Sequence, residues 1–367
     1  MTRINDLLKR VNDSEYAKAA SLLGAISIVV GLAVFVFESP ERHKQTVYEV
    51  WQVIGTNSGK GGGGGIAEAL MELHELGQPL TGVNLTHVYL EGIDLSTFDL
   101  RSANLEYAVL TDADLSGANL GGANLRCSRL SGANLSGANL RGARLEGAHM
   151  EKAKLSGANL SRAQAEQAVM IQADLRGANL SGVNLLGAEL ARADLTDALA
   201  FAAVFDGANL SSAILAGTDL SEARLRWVLG WSMNARRARL WGADLSHARL
   251  VRAEMEEAEL VGARMHATDL SGANLARVDW SLAVLSGATL AHADLTSVRN
   301  WAQIAAFEKV NLTGVVPPAG GGNQWPPPGG VLTGPNEFAL LVRQWDDENK
   351  DGHLARVESV AIDCGRR

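Results

Sequence analysis

The sequence predicts an all-β solenoid, a rod that turns a corner every fifth residue. Three observations predict it. Leucine recurs in steps of five from Leu80 to Leu295, a small residue, usually alanine, stands two places before it, and aromatics are scarce at 5 %. Period five is neither the helical 3.6 nor the strand period of two. A helix would spread a five-residue stripe around its surface, and one long strand would turn alternate leucines outward. Only a chain that turns regularly presents the same two positions inward each time. Few aromatics fit a narrow core lined by leucine and alanine.

Each element of the unit has a physical reason. Units read as Ala133-Asn134-Leu135-Ser136-Gly137. Leucine fills the centre, and alanine fits where the walls come close. Asn or Asp and the trailing Ser-Gly face outward, with Asn and Gly tolerating the tight turns. Roughly three quarters of about 44 successive units hold leucine and alanine at these positions, which excludes chance.

Motifs such as Ala118-Asn119-Leu120-Gly121-Gly122 and Ala273-Asn274-Leu275-Ala276-Arg277 resemble the pentapeptide-repeat family. The resemblance implies a right-handed quadrilateral β-helix with four units per coil and about 20 residues per turn. Eleven coils then make a rod roughly 50 Å long. Residues twenty apart stack on one face, so Asn119, Asn139, Asn159 and Asn179 form an asparagine ladder. Asp219, Arg239, Glu259 and Asp279 follow on that face, with a structural role.

Five regions follow: an anchor and Gly-rich linker over 1–65, a capping helix over 66–79, the β-helix over 80–315, a Pro/Gly-rich linker over 316–335 and an EF-hand-like motif over 336–367. From Ala19 to Phe37 no residue is charged. As a helix this run spans roughly 28 Å, the thickness of a bilayer core, and predicts a single transmembrane helix. Arg3, Lys9, Arg10 and Lys18 precede it, while Arg42 and Lys44 follow closely. The positive-inside rule places the remainder on the non-cytoplasmic side.

Arg42 to Ile54 reads as an amphipathic helix near the membrane, with Tyr48 and Trp51 at the interface. Lys60 in the following glycine run lacks the spacing and the Ser or Thr of a phosphate-binding loop, so the run is read as a flexible linker. Ile66 to Leu76 predicts a cap with a stripe of Ala67, Leu70, Met71 and His74, closing a solenoid end that otherwise exposes strand edges.

Departures from the repeat mark candidate sites. Ala165, Ala200, Gly230 and Ala235 replace leucine, and Trp280 is large for its place. The segment Arg226 to Arg237 predicts a bulged unit or a protruding loop. It brings Arg224, Arg226, Trp227, Trp231, Arg236, Arg237, Arg239 and Trp241 close in sequence. This is read as a repacked kink or as a partner-binding patch of tryptophan and arginine. After Leu295 the phase slips by two residues, and Phe307 and Leu312 resume it.

Asp347 to Glu358 matches a twelve-residue calcium loop at every fixed position. Asp347, Asn349 and Asp351 supply side-chain oxygens, His353 its carbonyl, and Glu358 both carboxylate oxygens around a bound calcium. Gly352 makes the sharp turn. Such hands usually pair, so a lone one makes a homodimer joined at Leu354 an expectation.

Net charge is -8, mixed in sign along the chain, with no broad basic footprint for nucleic acid. Cys127 and Cys364 are the two cysteines, form no CxxC pair, and predict neither a disulfide framework nor a zinc site. His247, His266 and His292 are expected on separate outward tracks, and no catalytic constellation is found. The sequence therefore predicts a non-enzymatic, membrane-anchored scaffold for protein–protein interaction. The alternative is a DNA mimic that inhibits topoisomerase (gyrase), as the family resemblance allows; arginines interrupt the acidic face that this needs.

Overall fold

The computed structural model describes residues 44–55, 65–317, 330–331, 362 and 364. The sequence-predicted membrane run at 19–37 and calcium loop at 347–358 lie outside the described residues. Among the described residues, no helix is long and apolar enough to cross a membrane.

From Leu80 the backbone repeats one local unit. The Ala123 N–H donates to the Leu120 carbonyl at 2.9 Å and closes a tight turn. The residue before it takes positive φ in unit after unit, as at Gly122 with φ +67°. This left-handed conformation costs L-residues roughly 1–2 kcal/mol, which explains the trailing glycine. The Asn or Asp does more than face water. Asn119 Oδ1 accepts the backbone N–H of Gly121 at 3.3 Å, and Asp114 Oδ1 that of Ser116 at 2.8 Å, each bracing the corner.

Four units make one coil. Asn84 pairs in parallel with Asn104, Asn104 with Asn124, and so along the rod at steps of 20 residues. Leu85 N–H donates to Asn104 C=O at 2.7 Å, and Asn104 N–H to Val83 C=O at 2.8 Å. Each backbone contact is a single residue wide on each of four faces. We number the faces by their first outward residue: Asn84 (first), Tyr89 (second), Asp94 (third) and Asp99 (fourth). Inside, leucines and alanines form one continuous core, almost all fully buried. The asparagine ladder is present on the fourth face, where Asn139 Nδ2 donates to Asn119 Oδ1 at 2.9 Å.

Two helices close the N-terminal end of the rod. Helix α1 spans 44–55 and helix α2 spans Ile66–Glu75. The stripe expected on α2 is turned. Ile66, Ala69, Leu70 and Leu73 are buried, whereas Met71 is exposed and His74 stacks its ring on Phe98 at 4.0 Å. Helix α1 joins the same core through Val50 and Ile54, with Trp51 packed against it. Trp51 therefore packs its ring partly into the cap.

At the far end the ladder step lengthens from 20 to 22: Asp279 pairs with Arg299, but Val284 pairs with Ala306. A short 3-10 turn at Trp301–Gln303 takes up the two extra residues. Strand β1 (Val310–Asn311) then pairs in parallel with β2 (Gly330–Val331), so part of the expected linker extends the ladder.

The expected bulge at Arg226–Arg237 is absent. The 20-residue ladder runs through it without a break, Asn209 to Leu229 to Arg249. Side-chain sizes compensate instead. A Cβ on Gly230 would lie 2.7 Å from Leu250 Cδ2 and 2.9 Å from Met233 Sδ, so these side chains occupy the space of the missing leucine. Met233 stands where alanine is usual. Phe205, fully buried, follows Ala200 in the same coil. Restoring the regular leucine with Gly230→Leu is therefore expected to destabilise the rod by about 1–3 kcal/mol through overpacking. Adding Met233→Ala should recover part of that loss. A double-mutant cycle on thermal melts measures the coupling, and strictly additive effects would refute the compensation.

Candidate functional site

The tryptophans and arginines that lie close in sequence are spread around the rod. One coil is 20 residues, so a segment from Arg224 to Trp241 visits every face. Arg224 lies on the first face, and Arg226 and Trp227 on the edge between the first and second. Trp231 stands on the edge between the second and third, and Arg236 and Arg237 on that between the third and fourth. Arg239 lies on the fourth face and Trp241 on the edge that returns to the first.

Most of these arginines are held by carboxylates one coil away. Arg224 and Arg226 converge on Asp206, with Arg226 Nη2 at 2.6 Å from Asp206 Oδ2. Arg226 N–H also donates to Asp206 Oδ1 at 3.1 Å. Burial opposes ionisation of Asp206, but hydrogen bonds from Arg226 and Arg224 outweigh it and hold its carboxyl below the usual range. Its stabilisation is thus present above the unfolded carboxylate pKa of about 3.9 and lost as pH falls through the lower folded value. Arg236 pairs with Glu254 at 3.3 Å, Arg237 with Glu257 at 3.3 Å, and Arg239 with Asp219 at 3.3 Å. These pairs are half-exposed and contribute little each.

Trp227 stacks on His247 at 4.1 Å, and His247 meets His266 edge-on at 5.7 Å. Two histidines expected on separate tracks thus share one edge, because the corner has two outward positions. Among the described residues no group of three could hold a metal.

What the coil does concentrate is apolar surface. Phe201 and Trp241, 52 % and 49 % exposed, lie two coils apart on one edge beside exposed Leu199. Trp231, 52 % exposed, stands near exposed Leu229 and Ile214 on another. Sequence reasoning missed Leu199, Phe201 and Ile214, although the 20-residue period marks all three as outward.

The cysteines correct a second expectation. Cys127 and Cys364 are joined by a disulfide, with Cα atoms 5.4 Å apart across 237 residues of sequence. Cys127 occupies a corner on the edge between the first and second faces, followed one and two coils on by Gly147 and Gln167. Ile362 N–H donates to Gln167 Oε1 at 2.8 Å. Beside them run Glu106, Arg126, Glu146 and Glu166, with Arg126 3.3 Å from Glu106. Burial pushes the Glu166 carboxyl upward, and Glu146 adds to that.

Comparison with known families matches the pentapeptide repeats in eight copies, over residues 80–117, 128–170, 158–197, 188–226, 236–272 and 263–299. The chain belongs to the pentapeptide-repeat family. Among solved structures, this pentapeptide-repeat protein is similar to HetL of the cyanobacterium Nostoc sp. strain PCC 7120, involved in heterocyst differentiation regulation. Identity there is 29 %, covering 68 % of this chain and 95 % of that one, with a TM-score of 0.36. QnrB1, a plasmid-mediated fluoroquinolone resistance protein, is 18 % identical over 70 % of this chain and 95 % of its own, with a TM-score of 0.26. A pentapeptide-repeat protein of the Arabidopsis thaliana thylakoid lumen is 28 % identical over 32 % of this chain and 68 % of its own, with a TM-score of 0.17. No curated protein matches the chain.

Proposed function

We propose that this pentapeptide-repeat protein is a membrane-tethered, non-catalytic scaffold that binds other proteins along its rod and carries a calcium-responsive C-terminal segment. The observation that carries the binding role is the exposure of Leu199, Phe201, Leu229, Trp231 and Trp241 within three neighbouring coils. The same edge positions earlier on the rod hold Arg141, Ser161 and Ser181 in place of Phe201 and Trp241. Phe201 and Trp241 share one edge beside Leu199, while Trp231 and Leu229 stand at the opposite edge of the rod; water-facing tryptophan and phenylalanine beside ion-paired arginine are the usual anchors of protein interfaces.

The tether rests on the uncharged run Ala19–Phe37. A non-cytoplasmic location for the rod is supported by the basic residues ahead of that run. The cysteine pair adds to it, since structural disulfides persist in oxidising compartments. Calcium binding rests on Asp347, Asn349, Asp351, His353 and Glu358 at their loop spacing. DNA mimicry is disfavoured by charge. The most acidic face, the third, runs Asp94, Asp114, Asp174, Asp194, Glu254 and Asp294 but is broken by Lys154 and Ile214. Arg176 covers Asp174 there at 2.7 Å.

Photoreactive residues at positions 231 and 241, irradiated in intact membranes, are expected to give discrete protein adducts. The same group at Ser136, on a serine-glycine corner, is expected to give none. Labelling from position 231 or 241 no greater than from position 136 would refute the apolar edge that carries it. Calorimetry of the full chain should show calcium binding that Glu358→Gln abolishes; no heat with the unaltered chain would refute the calcium role.

A further inference from the structure

The edge between the first and second faces carries a device that neither the repeat nor the calcium loop accounts for. Cys364 reaches back across 237 residues to Cys127. Cys364 Sγ lies 3.7 Å from the Gly147 carbonyl oxygen, and Ile362 N–H is held by Gln167 one coil further on. The C-terminal segment thus crosses three successive coils at one corner track.

We propose that Ile362 and Cys364 form a redox-released strap, seated on Gly147 and locked to the rod by the disulfide to Cys127. Gly147 makes the seat. A Cβ there would stand 2.6 Å from Cys364 Sγ, 3.2 Å from Ile362 Cγ2 and 3.5 Å from Cys127 Sγ. The first distance is closer than real Cβ contacts allow. The rod itself does not need glycine at this place. Its neighbours on the same track, Cys127 and Gln167, carry side chains at φ +52° and +55°. The missing Cβ at 147 therefore makes room for the strap.

Opening needs a dithiol reductant. Its two sulfurs give up two protons and two electrons, the Cys127–Cys364 bond breaks, and each cysteine leaves as a thiol while the reductant closes its own disulfide. Among the described residues, the contacts left without the covalent lock include the hydrogen bond from Ile362 N–H to Gln167 and the seat of Ile362 on Gly147. The covalent bond is what offsets the conformational entropy of holding Cys364 on the track. Release uncovers the edge beside Arg126, Glu146 and Glu166. It also frees the sequence ahead of it. Glu358 stands six residues before Cys364, within about 20 Å of extended chain. The strap is independent of whether that sequence takes calcium.

The test uses the full chain, purified in detergent without reductant. Iodoacetamide in denaturant is expected to add nothing before treatment with dithiothreitol and two groups after it, by intact mass. Gly147→Gln should raise the fraction with two alkylated thiols from under a tenth to more than half, with an unchanged circular-dichroism spectrum. Exchange of the Ile362 amide should become at least tenfold faster on reduction, and equally fast in Cys364→Ser without reductant. Two alkylated thiols in the untreated chain, a Gly147→Gln protein as fully oxidised as its parent, or slow Ile362 exchange in Cys364→Ser would each overturn the strap.

Discussion

Replacing Leu160 by aspartate is expected to unfold the middle of the rod. Leu160 is fully buried, stacked between Leu140 and Leu180 of the adjoining coils, which are fully buried too. The substitution forfeits about 1.5–3 kcal/mol of apolar burial. It also places a carboxylate among leucines and alanines, with an effective penalty of several kcal/mol more. Burial of this kind holds the rod together, so a loss above about 5 kcal/mol rivals the whole stability of many domains. One position earlier, Asn159→Asp is expected to change stability by less than about 0.5 kcal/mol. Asn159 faces outward and accepts the Ser161 N–H at 3.1 Å, as Asp219 accepts that of Ser221 at 3.1 Å. Coils in a solenoid touch only their neighbours, so damage spreads locally. Hydrogen exchange should accelerate in coils around Leu160 before those near either end. A Leu160→Asp protein that melts like its parent would refute an interior built of stacked leucines.

Substituting both cysteines by serine is expected to cost about 2–5 kcal/mol of stability. The bond closes a loop across 237 residues, and in the chain-entropy account long loops stabilise most because they restrict the unfolded ensemble. The folded coils should stay as they are, since Cys127 sits at a corner that other side chains occupy elsewhere. The measurement is a denaturant titration of the Cys127→Ser, Cys364→Ser chain against the oxidised and reduced parent. The reduced parent and the double variant should unfold at the same, lower midpoint. A midpoint shared by oxidised parent and variant would show that the bond constrains nothing.

The ring of tryptophans and arginines shows why proximity along a repeat is a poor guide to proximity in space. Arg224 and Trp231 are seven residues apart in sequence, yet they stand on a face and an edge separated by a full face of the rod. Phe201 and Trp241, forty residues apart, stand on one edge because forty is two turns. Legibility thus depended on using the 20-residue period as the measure of distance. It worked for the asparagine ladder and for the two-residue slip after Leu295. Phe201 lies outside that reading, and for His247 and His266 the period separates the tracks correctly, but two tracks share each corner.

The sequence by itself determined which atoms face inward, because each five-residue unit closes the same turn and local geometry repeats identically along the rod. It therefore determined the leucine core and the outward-facing positions, while four units per coil, and with them the ladders, followed from the resemblance to the pentapeptide repeats. Only the tertiary structure decided how Met233 and Leu250 fill the gap at Gly230, that α1 shares the cap with α2, and that Cys364 returns to Cys127. Those outcomes depend on side-chain volumes meeting across coils and on two segments 237 residues apart meeting, and no local period carries that information.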